Sequence, residues 1–178
     1  ERTARMDILS KIRTIPDFPK PGIMFKDITS LLADPEAFAA VISGMEARYG
    51  GRGLTKVVGV ESRGFLFGAV LAHSLGIGFV PIRKAGKLPA KTRRRSYSLE
   101  YGEATIEIHE DALAPGERVV LVDDLLATGG TARAAAELVQ DLGAEVDEIW
   151  FLIELGFLPG RKALERFRVH SEAVVAAE

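Results

Sequence analysis

Two spacings of apolar residues alternate along this chain. Unbroken apolar runs occur at Val57-Val58-Gly59-Val60, Gly78-Phe79-Val80-Pro81-Ile82, Val119-Val120-Leu121-Val122 and Ile149-Trp150-Phe151-Leu152-Ile153. Runs of that length, with no polar residue between the apolar ones, predict strands buried on both faces, as in a parallel sheet. Between them, apolar positions fall three and four apart. Phe38, Val41, Ile42, Met45 and Tyr49 share one helical face, Phe65 to Ala72 forms a second helical run, and Ala132, Ala135, Ala136 and Val139 form a third. The boundaries agree with this reading: Asp34-Pro35 is an N-cap and first-turn pair, and Gly50, Gly76 and Gly143 stand where helices stop. Buried strands alternating with helices predict an α/β fold: a doubly wound, mostly parallel sheet of about five strands with flanking helices, ligands lying at the strands' carboxyl ends.

The flanking regions complete the outline. Ile8, Leu9, Ile12 and Ile15 predict a short amphipathic helix from Met6 to Ile15, ended by Pro16. The segment 16–28 holds three prolines and a glycine, so it is an irregular loop, yet Phe18, Ile23, Met24 and Phe25 are too apolar for a solvated linker and predict that it folds back. Pro81 suggests an edge or irregular position in its strand. Seven positive charges lie between Arg83 and Arg95, where glycine and proline prevent a helix; on composition alone this is a solvated loop. Residues 96–109 alternate polar and apolar about Gly102, as paired strands do. A short helical turn within 158–167 and a last strand over 169–175 end the chain.

Chemistry concentrates in the turns. After the strand at Val119, Asp123 and Asp124 end it, and Leu125-Leu126-Ala127-Thr128-Gly129-Gly130-Thr131 leads into a helix. A turn between a strand's carboxyl end and a helix's amino end gathers free N–H groups and the positive end of the helix dipole, which suits a phosphate. Gly129 and Gly130 allow close approach, and Thr128 and Thr131 add donors. There is no Gly-Lys-Ser/Thr and no dinucleotide glycine spacing. Two acids beside a phosphate turn repel a phosphate placed on them but accept hydrogen bonds from a ribose diol or face a metal, so the combination points to a ribose 5-phosphate. Glu61-Ser62-Arg63-Gly64 forms a second turn of the same kind. Arg63 there is either a surface arginine, disfavoured by the dipole, or an anion ligand gripping two oxygens at once.

The run Asp-Asp, two residues, then Ala-Thr-Gly-Gly-Thr resembles the phosphoribosyl-pyrophosphate loop of type I phosphoribosyltransferases. Pro-Gly-Ile-Met-Phe-Lys at 21–26, Glu-Ser-Arg-Gly-Phe-Leu-Phe-Gly at 61–68 and Ser-Tyr-Ser-Leu-Glu-Tyr-Gly-Glu at 96–103 resemble the adenine phosphoribosyltransferases in particular. The resemblance covers Ile12 to about Leu155 and implies a single domain over 1–178, with a hood at about 16–30 and a mobile basic lid at about 84–108. It implies that Asp123, Asp124, Ala127, Thr128, Gly129, Gly130 and Thr131 hold the ribose 5-phosphate. Ser62, Arg63, Arg83, Lys84, Lys87 and Tyr101 would hold pyrophosphate, with Arg83 able to reach across a dimer interface. Met24, Phe25, Lys26 and Leu126 would hold adenine, Lys26 standing where an arginine is common. Glu100, Asp123 and Asp124 are the implied catalytic residues, Glu100 handling the purine proton; on spacing alone Glu100 is one polar residue on a hairpin's exposed face. Phe25 would stack on the base; core packing is the alternative reading.

The implied reaction transfers a phosphoribosyl group from phosphoribosyl pyrophosphate to adenine, giving AMP and pyrophosphate, with Mg2+ held through the substrate and through water near Asp123 and Asp124 rather than by tight protein ligands. Phosphoribosyl transfer to hypoxanthine, guanine or xanthine, and a non-catalytic sensor of phosphoribosyl pyrophosphate, share the central loop and stay open. Composition narrows the field only a little. The 178 residues carry a net charge of −2, which argues against general nucleic-acid binding, and no cysteine, which excludes disulfides and fits a reducing cytoplasm; the homodimer is what the resemblance implies. No apolar run has membrane-spanning length, and the amino end is not a secretory signal. His73, His109 and His170 have no ligand spacing.

Overall fold

The computed structural model describes residues 6–99 and 101–177. They fall into two compact units, one through Arg48 and a larger one from Tyr49 onward. In the first, a single 3-10 turn at Leu9–Lys11 leads into β1 (Arg13–Ile15), antiparallel to β2 (Phe25–Asp27). The helix expected over 6–15 is therefore not formed. Thr14 and Ile15, β-branched residues with weak helix preference, pair with Lys26 and Phe25 instead, and Lys26 Nζ donates to Thr14 Oγ1 at 2.8 Å. Arg13 closes the pair through Asp27 at 2.6 Å. Asp27 also accepts the N–H and hydroxyl of Thr29, opening α1 (Thr29–Ala33), a turn of helix the apolar spacing did not reveal. Those Thr29 bonds, assisted by Arg13, hold the Asp27 carboxyl below its usual pKa. The Asp34 cap is as expected: its Oδ1 accepts the N–H groups of Glu36 and Ala37 at the start of α2 (Pro35–Tyr49).

The larger unit is built on β3 (Lys56–Val60), β4 (Gly78–Lys84), β5 (Thr92–Ser98), β6 (Glu103–His109), β7 (Arg118–Leu126), β8 (Glu145–Leu155) and β9 (Val169–Val175). They form one seven-stranded sheet in the order β5-β6-β4-β3-β7-β8-β9. Five strands are mutually parallel, as expected; the other two are an antiparallel hairpin added beyond β4, which raises the expected count. β4 pairs with β6 only at Arg83 and Lys84, so Pro81 sits on a local edge where its missing N–H costs nothing. Connections run through α3 (Arg63–Leu75), α4 (Gly130–Asp141) and the single turn α5 (Gly160–Ala163). The core beneath α4 joins Val58, Ile82, Leu121, Ile149 and Phe151 to Ala135 and Leu138.

Within the parallel set the strand order is 2-1-3-4-5. Chains leave β3 toward one edge and β7 toward the other, so the strand order reverses between these two, and a crevice opens there at their carboxyl ends. One boundary differs from expectation: Asp123 and Asp124 do not end the strand. β8 is long enough to keep pairing, Asp123 with Phe151 and Leu126 with Glu154, so the acids lie inside the last turn-ward stretch of β7.

Candidate active site

Glycine sets the first wall of the crevice. A Cβ on Gly64 would lie 2.6 Å from the Val122 carbonyl oxygen and 3.1 Å from the Asp123 Cα, so only glycine lets the start of α3 touch β7. That approach puts Arg63 on the acidic pair, Nε to Asp124 Oδ2 at 2.6 Å. Asp124 is buried, and its own N–H donates to Asp123 Oδ1 at 2.8 Å. Burial, followed by the charge of Asp124, pushes the Asp123 carboxyl well above its usual pKa.

The second wall is β4 with the turn after β3. Glu61 accepts from Arg83 Nε and Nη2, at 3.2 and 3.3 Å, and from the backbone N–H of Lys84 at 2.9 Å. Burial raises the Glu61 carboxyl, but the Arg83 and Lys84 bonds together outweigh it and leave its pKa lowered. Glu61 is thus a positioning residue that the sequence reading passed over. Its signal was its place between a buried strand and Ser62, where an acid has no solvated face to explain it.

The third wall is the glycine turn. Gly129, at φ 85°, begins α4, and a Cβ there would meet Ala163 Cβ and the Gly160 carbonyl oxygen, both at 2.9 Å. Gly160 in turn lies against Ala127: a Cβ on it would sit 2.5 Å from that carbonyl oxygen. The α5 turn behind is tied down by Arg161, whose guanidinium holds the buried Glu154 in a two-pronged pair, with Ser171 Oγ also donating to Glu154 at 2.7 Å. The amide-lined turn therefore rests on a rigid backing. Thr131 Oγ1 donates to Tyr97 Oη at 2.9 Å.

A cleft of about 500 Å³ joins these walls, lined by Glu61, Ser62, Arg63, Arg83, Lys84, Tyr97, Asp123, Asp124, Leu125 and Thr131, with Val60, Ile82 and Ile106 beneath. Of the expected ribose-phosphate residues, Asp123, Asp124 and Thr131 line it, Thr128 is exposed, and Ala127, Gly129 and Gly130 form the turn. Of the expected pyrophosphate residues it gathers Ser62, Arg63, Arg83 and Lys84. Lys87 and Tyr101 are not among its lining residues, and Tyr101 is 80% exposed. Leu126 is 1% exposed in the core, while Leu125 lines the cleft; strand alternation, applied once β7 is known to continue, separates the two. Met24, Phe25 and Lys26 belong to the first unit, where Met24 is exposed and the Phe25 ring meets Phe18 edge-on with centroids 5.0 Å apart. Glu100 lies outside the described residues.

The basic run is less of an electrostatic background than its composition suggested. Arg94 and Arg95 lie in β5: Arg94 pairs at 2.9 Å with Glu107, which has no exposure, and Arg95 binds Asp141 and Glu137 on α4. Glu107 also accepts the N–H groups of Gly86 and Leu88, fixing the turn after Lys84. Burial raises the Glu107 carboxyl, and the Leu88 N–H with Arg94 more than reverses that.

The phosphoribosyl transferase domain family matches residues 27–161. A Symbiobacterium thermophilum adenine phosphoribosyltransferase is 60% identical over 160 residues, 90% of this chain and 94% of that protein. The chain belongs to the adenine phosphoribosyltransferases. Solved structures of the family superpose closely. The Thermoanaerobacter pseudethanolicus adenine phosphoribosyltransferase has a TM-score of 0.91 at 54% identity, covering 94% of this chain and 98% of that one. The Saccharomyces cerevisiae adenine phosphoribosyltransferase, solved with an imino-altritol bisphosphate and adenine, has a TM-score of 0.86 at 42% identity over 91% of this chain and 94% of that one. No helix among the described residues is long and apolar enough to cross a membrane.

Proposed function

We propose that this chain transfers the 5-phosphoribosyl group from phosphoribosyl pyrophosphate to adenine, forming AMP and pyrophosphate in purine salvage. The observation that carries the reading is the convergence, in one cleft, of an amide-and-hydroxyl turn, an acidic pair and the cations Arg63 and Lys84. In this reading the 5-phosphate docks on the turn from Ala127 to Thr131, where free N–H groups at the start of α4 meet it. The ribose diol takes Asp123 and Asp124. Pyrophosphate takes Ser62, Arg63, Arg83, Lys84, Lys87 and Tyr101, and Met24, Phe25 and Lys26 hold the adenine ring. Leu125, which lines the cleft, is the apolar wall we assign to the base in place of the buried Leu126.

The Arg63–Asp124 contact supplies a binding step. Arg63 leaves Asp124 to grip pyrophosphate, and Asp124 is thereby freed to accept the ribose hydroxyls. Cleavage at the anomeric carbon develops positive charge, which the two carboxylates face with the correct sign. Glu100 handles the purine proton. Asp123 and Asp124, which line the cleft, are the carboxylates that would hold a Mg2+ through water beside the substrate. When bound, that ion neutralises the leaving group. The reading includes a cytoplasmic homodimer, with Arg83 able to reach across its interface.

Pyrophosphate release measured with adenine, hypoxanthine and guanine in the presence of Mg2+ tests it. Adenine is expected to be used at least tenfold better in kcat/KM; preference for an oxopurine, or no turnover with any base, overturns it.

A further inference from the structure

Two hydroxyls meet at the mouth of the glycine turn, and one of them comes from the basic hairpin. Tyr97 is in β5, and its ring lies on the backbone of Gly130: a Cβ there would be 3.3 Å from Tyr97 Cδ2. Its hydroxyl accepts the Thr131 hydroxyl at 2.9 Å, and both side chains line the cleft. Arg95, two residues earlier and so on the same face of β5, reaches α4 with three hydrogen bonds of 2.9 Å, two to Asp141 and one to Glu137. β5 is therefore fixed along α4, the helix whose amino end forms the turn, and Tyr97 is held against that end rather than hanging into the cleft.

We infer that Tyr97 is a positioning residue for the phosphate subsite: it orients the Thr131 hydroxyl and, with it, presents one O–H to a phosphate oxygen. Proton counting carries the argument. Each hydroxyl has one proton and two lone pairs. One of the two protons is used between Thr131 and Tyr97; the other is left for the cleft. If Thr131 donates to Tyr97, the tyrosine proton faces the ligand. If the pair reverses, Tyr97 donates to Thr131 and the threonine proton faces it. Either way the pair keeps a donor aimed at the turn, and a phenylalanine at 97 would leave the threonine hydroxyl to rotate freely. The inference rests on the proposed site for the 5-phosphate, but the pair itself recognises any phosphate oxygen there.

Tyr97→Phe keeps the ring on Gly130 and removes only the hydroxyl, so it is the variant to make. Binding of inorganic phosphate and of AMP is measured by calorimetry, together with kcat and both KM values. The expected result is a three- to tenfold rise in the phosphate and AMP Kd and in the KM for phosphoribosyl pyrophosphate, the range for one typical hydrogen bond. The KM for adenine and kcat should stay within twofold. Unchanged phosphate and AMP affinity overturns the inference, and so does a loss spread equally over adenine and kcat, which marks a general structural role. In a Thr131→Val background, Tyr97→Phe should cost less than it does in the wild-type chain; full additivity overturns the coupling. A wild-type chain that binds phosphate but neither AMP nor adenine defeats the proposed function instead, and leaves the tyrosine comparison readable with phosphate as the probe.

Discussion

The turn after β3 and the turn after β7 stand on either side of the strand-order reversal and look alike in outline: each leaves a buried strand and opens a helix with a glycine in its first turn. They handle charge in opposite ways. The second meets the helix dipole with neutral donors only, the amides around Gly129 and Gly130 and the Thr131 hydroxyl, so it suits an anion that stays put. The first places Arg63 at the amino end of α3, against the dipole, and an acid from the neighbouring strand compensates at 2.6 Å. A cation held in this way can be lent to a ligand and taken back. The difference teaches that the acidic pair faces both turns: in the proposed reading it accepts the sugar, and it holds the arginine in place.

Removing that shared acid breaks the comparison most severely. Asp124→Asn is expected to lower kcat about 10²- to 10³-fold, the usual scale for losing one group that faces developing charge, measured as steady-state pyrophosphate formation. Arg63→Ala sharpens the contrast rather than breaking it. The Kd of pyrophosphate should rise about ten- to a hundredfold, the scale for losing a charged hydrogen-bond pair, while the Kd of ribose 5-phosphate moves less than threefold; equal losses for both ligands would show that the turns do not divide the substrate.

Asp123→Asn is the smallest effect and the one with a pH signature. Burial and Asp124 raise the Asp123 carboxyl, so the folded chain binds its proton more tightly than the unfolded chain does. Stability from that proton is therefore present at low pH and lost as pH rises through the raised pKa. An asparagine never carries the buried charge. The unliganded variant should melt about 2–4 °C higher at pH 8, corresponding to ~1 kcal/mol, with the gain vanishing toward pH 4, although turnover falls.

Much of this architecture can be read from apolar spacing. The parallel strands are buried on both faces and carry uninterrupted runs, and α2 announces itself with Asp34-Pro35 because a cap is a local hydrogen bond. What escaped depends on partners far away in sequence. The periodicity of 6–15 is helical, but Thr14 and Ile15 find β2 ten residues or more downstream. β7 runs past its acids because β8 is long. That extension exchanges the roles of Leu125 and Leu126, which only alternation along an established strand can tell apart. Glu107 stands at the polar position of an alternating strand, between Ile106 and Ile108, so nothing local marks it as buried, and its partners Gly86, Leu88 and Arg94 become neighbours only when the hairpin closes. The glycine turn was the most legible part of the site, since its donors, its left-handed Gly129 and its preceding acids are contiguous.

The two outermost strands of the sheet are unlike each other, and this bears on how the protein behaves when crowded. β5 carries Arg93, Arg94 and Arg95 on alternating faces, Arg94 and Arg95 paired with acids, so another chain's strand approaching there meets charged side chains. β9 offers Val169, Ala173, Val174 and Val175 instead, with Val174 53% exposed. Strand-to-strand aggregation of a partly opened molecule thus has one rim rich in charge and one whose last residues are apolar, and a single lysine in place of Val174 would act as a gatekeeper there.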